Sequence, residues 1–143
     1  MNRLRKGSEF VENGAEQHEF VDTLSLKLED DPRALALRIA EILTDSPAAN
    51  TVLLEITEIS SIADFFLLCS GENERQLRAI FEGISEELAK SDVRPLRTEG
   101  SPQSGWIVMD FGDVVTHIFD AELREYYKLE QLWIDAPRVL SIQ

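Results

Sequence analysis

The side chains able to do chemistry are few, and their spacing argues against most of it. Asp110-Phe111-Gly112 has the form of the tripeptide that holds magnesium in protein kinases. That role also needs a glycine-rich loop, a strand lysine and a catalytic His-Arg-Asp loop, none of which the chain carries. The tripeptide is expected instead to form a hairpin turn, with Gly112 supplying a positive φ. His117 lies between Thr116 and Ile118 in a strand-like run, and the only other histidine is His18. A metal site wants two or three converging ligands, and a serine triad wants a G-x-S-x-G turn. Neither pattern is present, so His117 is expected to be structural or to lie in an interface. Cys69, the single cysteine, has no basic neighbour to lower its pKa and reads as a buried thiol. Cys69-Ser70-Gly71-Glu72 has one glycine, too few for a phosphate cradle. Metal-holding carboxylate pairs one residue apart are missing from the central hairpin, and Asp110 and Asp113 are separated by its turn. No catalytic residue, cofactor or metal is expected.

What stands out is a concentration of aromatics among acids. Residues 105–137 hold Trp106, Phe111, Phe119, Tyr126, Tyr127 and Trp133, together with seven acids: Asp110, Asp113, Asp120, Glu122, Glu125, Glu130 and Asp135. Only Arg124 and Lys128 oppose them. Aromatic anchors with an acidic rim suit a docking surface for a basic protein. The net charge of −13 points the same way. Nucleic-acid binding draws on Lys and Arg at phosphates, so this chain would be repelled by RNA, DNA or an anionic membrane surface.

The elements that must position these residues follow from periodicity. Residues 1–31 form an acid-rich stretch without sustained pattern and are expected to be a flexible tail; Gly7-Ser-Glu-Phe10 within it reads like a cloning-site scar. Its basic start, Met1–Lys6, is followed by no apolar run, so it is not read as a secretory signal. No uncharged run approaches the ~18 residues of a membrane span. One unpaired thiol points to a reducing compartment, and the expected location is cytoplasmic. Order is expected from Asp31-Pro32, a helix cap followed by proline at the first helical position, with Leu35, Ile39, Ile42 and Leu43 on one face. Val52–Ile59 reads as a strand with Val52, Leu54 and Ile56 on one side. Phe65–Cys69, apolar on both faces, reads as a central strand. Asn73 with Gln76 marks the cap of a second helix, striped by Leu77, Ile80, Phe81, Ile84 and Leu88. Val93–Arg97 reads as an edge strand because of Pro95, and Gly100–Gly105 as a loop. Trp106–Asp110 and Val114–Phe119 read as a hairpin, and Asp120 as the cap of a terminal helix. The length suits one domain. The pattern predicts an α/β fold spanning 32–143, with a mixed sheet of about five strands and helices on both faces.

The same residues carry a family resemblance. Trp106-Ile-Val-Met-Asp-Phe-Gly-Asp-Val-Val-Thr-His-Ile-Phe119, Arg124-Glu-Tyr-Tyr-Lys-Leu-Glu-Gln-Leu-Trp133 and Asp135-Ala136 resemble the ribosomal silencing factor, or Iojap-like, family. Ala63-Asp-Phe-Phe-Leu-Leu-Cys-Ser-Gly71, Gln76 and Glu99-Gly100 extend the match, which covers roughly residues 32–140. The chain departs from the pattern at Phe111, Thr116 and Tyr126, where the family favours tyrosine, valine and phenylalanine. The resemblance implies a nucleotidyl-transferase-like fold without that activity. It implies binding to the large ribosomal subunit through its protein fourteen, which blocks joining of the small subunit and represses translation when nutrients are limiting. It also implies a possible homodimer in isolation. Carried over position by position, the partner-binding residues are Trp106, Asp110, His117, Arg124, Tyr127, Trp133 and Asp135. A nucleotidyl transferase or nucleotide-binding protein of the same fold is the alternative.

Overall fold

The computed structural model describes residues 28–128, 131 and 135–142. The expected tail up to residue 27 and Trp133 lie outside the described residues. Helix α1 (Pro32–Thr44) starts where Asp31 accepts the Ala34 N–H at 3.2 Å, with Pro32 at the first position. Such a cap contributes about 1 kcal/mol. Strand β1 (Ala49–Glu55) follows, then β2 (Phe65–Gly71), every residue of which is buried. Helix α2 (Glu74–Ala89) is capped by Asn73, which accepts the Gln76 N–H at 2.9 Å. The Gln76 side chain in turn accepts the Glu72 N–H at 2.9 Å. This is a capping box displaced by one residue from its usual return contact. Strands β3 (Arg97–Ser101), β4 (Trp106–Asp110) and β5 (Val114–Asp120), short helix α3 (Ala121–Tyr127) and strand β6 (Arg138–Ile142) follow among the described residues.

Among the described residues the sheet has six strands in the order β3-β4-β5-β2-β1-β6. Only β2 and β5 run parallel; the other neighbours are antiparallel. Helices α1 and α2 pack on one face, burying Leu35, Ile39, Leu43, Leu77, Ile80 and Ile84 against Leu53, Leu67, Ile107 and Ile118. Each such apolar side chain contributes about 1.5–3 kcal/mol on burial. The opposite face carries Val52, Leu54, Phe66, Leu68, Val115 and Phe119. Helix α3 covers the end of that second face, because Arg124 reaches Ser70, which alternates with Phe66 and Leu68 along β2. Helices therefore lie on both sides, two long ones against one short one.

Several boundaries differ from the sequence reading. The first strand covers Ala49–Glu55 rather than Val52–Ile59, because the Ile59 and Ser60 N–H groups turn back onto the Ile56 carbonyl at 3.1 and 2.9 Å and so leave the ladder. The edge strand begins at Arg97 rather than Val93. Residues 92 and 93 instead end α2: Asp92 takes a positive φ of 64°, and the Val93 N–H bonds back to the Leu88 carbonyl at 3.0 Å. Val93 then enters the helix-side core. At the other end, Gly100 and Ser101 pair with Ile107 and Trp106, so the loop shrinks. Ser101 and Ser104 staple it, each hydroxyl accepting the other's N–H at 3.1 Å. The sixth strand, β6, pairs with β1 and has no counterpart in the sequence reading.

Candidate functional site

The central hairpin sets the site. Its turn closes as expected, with Gly112 at φ 98° and its N–H donating to Asp110 Oδ1 at 2.8 Å. Alternation then places Trp106, Val108 and Asp110 on the second face, and pairing sets Val108 opposite His117 and Trp106 opposite Phe119. The parallel β2–β5 register brings Leu68 beside His117. The result is a cluster of rings. The Trp106 Nε1–H donates to His117 Nδ1 at 3.2 Å, and the indole lies 5.1 Å from the Phe119 ring. His117 stacks parallel to Phe119 at 5.8 Å and meets Phe66 at 5.0 Å. Trp106 remains 39% exposed.

His117 is enclosed enough that burial pushes its pKa down to about 4. It is neutral at pH 7, and since Nδ1 accepts from Trp106, the ring proton belongs on Nε2. Nε2 is buried and has no hydrogen-bond partner. Leaving such a donor unpaired costs about 1–3 kcal/mol.

Arg124 sits in the interior rather than at the surface expected of a partner contact, with only 6% of its area exposed. Its Nη1 donates to the Asn50 carbonyl at 2.7 Å and to Ser70 Oγ at 2.9 Å. Asn50 has a φ of 52° where the β1–β2 register shifts. A bulge of this kind leaves a backbone group outside the ladder, and the guanidinium satisfies it. Arg124 thus anchors α3 and positions the exposed pair Tyr126 and Tyr127, whose rings meet edge to face at 5.0 Å. Gly105 completes the joint. Its φ of 83° is one that a side chain would strain, and a Cβ there would also press on Leu123 Cδ1 of α3 at 2.6 Å.

The structure divides the remaining residues. Trp106, Arg124 and Tyr127 gather at the end of the sheet where β5 passes into α3. Asp110 lies four residues along β4, about 13 Å away, half-buried and paired with Arg97 at 3.1 Å. Asp135 is exposed and belongs to that far end as well, because Pro137 accepts the Glu55 N–H at 2.9 Å beside the start of β2. Sequence reading did not single out Phe66, Asn50 or Ser70; each reaches the site through pairing between distant strands. Cys69 is fully buried, and burial lifts its pKa to about 12, so the thiol is inert at neutral pH. Among the described residues, no group of three or more His, Cys, Asp or Glu converges to hold a metal. No helix among them is long and apolar enough to cross a membrane.

Comparison with known proteins agrees with this arrangement of sheet and hairpin. The chain is 43% identical over 95 residues to ribosomal silencing factor RsfS of Halalkalibacterium halodurans, covering 66% of this chain and 81% of the relative. It is 38% identical over 102 residues to RsfS of Bacillus subtilis, covering 71% and 86%. A mouse protein named for mitochondrial assembly of the ribosomal large subunit is 26% identical over 98 residues, covering 66% of this chain and 43% of the relative. A crystal structure of a Bacillus halodurans protein superposes with a TM-score of 0.66 at 35% identity, covering 76% of this chain and 98% of that one. Residues 29–143 match the family described as ribosomal silencing factor during starvation, and the chain belongs to that family.

Proposed function

We propose that this protein binds the large ribosomal subunit through its protein fourteen and blocks joining of the small subunit, repressing translation when nutrients are limiting. The observation that carries it is an indole hydrogen-bonded to His117 while 39% exposed, on a strand whose start at Gly105 packs against α3, the helix that bears the exposed Tyr126 and Tyr127 and the acids Glu122 and Glu125. Rigid aromatics of this kind are the usual anchors of protein interfaces. The surrounding negative charge complements a basic ribosomal protein and speeds encounter with it. The mouse relative's name, which refers to large-subunit assembly, supports the same subunit as partner. The protein acts by occupying a surface and not by catalysis, in the cytoplasm, and in isolation it pairs with a second copy in competition with the ribosome. A pull-down against isolated large and small subunits tests the choice of partner. Capture of large subunits alone is expected; capture of neither, or of small subunits, would refute it.

A further inference from the structure

The imidazole of His117 makes one hydrogen bond and leaves its other nitrogen buried without a partner. A phenylalanine or leucine would fill the space between Phe66 and Phe119 without stranding a donor. What the imidazole adds to packing is its Nδ1 lone pair, 3.2 Å from the indole nitrogen of Trp106. We infer that His117 is a positioning residue: it fixes the exposed indole of Trp106 in the orientation that the partner meets, and does not itself touch the partner.

The geometry supports this at each contact. His117 cannot swing freely, because it is stacked on Phe119 with an interplanar angle of 3° and packed against Phe66 at 5.0 Å. Trp106 has no such enclosure on its outer side. Phe119, at 5.1 Å and 35°, supports one face of the indole, but a ring contact alone leaves the ring free to slide or flip. The hydrogen bond selects one orientation. Desolvation also keeps His117 neutral, so the acceptor lone pair persists at physiological pH.

The role rests on the proposed ribosomal function, and two independent readouts separate the two. His117→Leu keeps an apolar filling and removes the acceptor. His117→Asn places a carbonyl oxygen where Nδ1 stood and serves as the rescue. The Trp106 indole resonance, assigned as the one lost in Trp106→Phe, reports the hydrogen bond directly in an NMR spectrum. Affinity for purified large subunits reports its use. In His117→Leu the indole proton should shift upfield and exchange faster with water. Affinity should fall about three- to tenfold, the cost of ordering one side chain on binding. His117→Asn should restore both.

An indole resonance unchanged in His117→Leu would overturn the hydrogen bond and the inference with it. A shifted resonance with unchanged affinity would overturn the positioning role alone. Failure of the unmodified protein to bind large subunits would overturn the ribosomal function, and the indole spectrum would still decide the contact. Should His117→Leu unfold, His117→Phe gives the same comparison with a ring retained.

Discussion

Burial of His117 predicts a specific acid weakness. In the unfolded chain its imidazole titrates near 6.5, whereas in the folded protein desolvation holds it down to about 4. Between those values the unfolded chain binds a proton that the folded protein refuses. Stability contributed by the neutral imidazole is therefore complete above pH 6.5 and is lost as pH falls towards 4. The loss reaches about 2 kcal/mol by pH 5 and about 3 kcal/mol over the whole window. Urea unfolding of the wild type and His117→Leu at pH 7.5, 6.5, 5.5 and 5 would measure it, stopping short of the isoelectric region near 4.5. Arg97, Glu99 and Asp110 on the same sheet face and Arg124 on α3 are common to both proteins, so the difference between the two profiles isolates His117. The wild type should lose about 2 kcal/mol relative to the variant between pH 7.5 and 5. Parallel profiles would refute the burial argument, and a difference of opposite sign would refute the neutral state of His117.

Other side chains give sharper stability tests. Thr116 is fully buried in strand β5 and its hydroxyl has no partner, so Thr116→Val should raise the urea-derived stability by about 1 kcal/mol; a loss would indicate an unseen hydrogen bond. Gly83 lies within α2 with open space around its Cα, so Gly83→Ala should add about 0.5–1 kcal/mol, read as a higher melting temperature. Arg124→Met strands the Asn50 carbonyl and the Ser70 hydroxyl and should cost about 2–3 kcal/mol in urea unfolding, with an unchanged midpoint counting against its anchoring role. Asp135→Lys reverses an exposed charge; it should keep the melting temperature within a few degrees and slow association with large subunits in stopped-flow mixing.

Local chemistry made much of the fold legible. Asp31-Pro32 and Asn73 with Gln76 are caps whose partners lie within one turn, and both form as their spacing predicts. The apolar alternation of Trp106–Met109 likewise fixes which residues share a face. Strand β6 escaped because Arg138–Ile142 is short and earns its place only by pairing with β1, far upstream. Strand β3 shifted because Val93 closes α2 and drops into the core before the strand can start. The site was harder to read for the same reason. Trp106 and His117 are neighbours through antiparallel pairing within one hairpin, which the sequence suggests. Phe66 joins them through the parallel β2–β5 register, for which no local signal exists. Arg124 looked like an exposed basic residue among acids, and its burial depends on a bulge at Asn50 that only tertiary structure creates.

Subunit joining itself is the most direct test of the ribosomal role. Purified large and small subunits mixed with saturating protein and separated on a sucrose gradient should show fewer joined ribosomes, with the protein migrating alongside free large subunits. Trp106→Ala should restore joining while remaining folded. Joined ribosomes at undiminished yield in the presence of saturating wild-type protein would contradict the account.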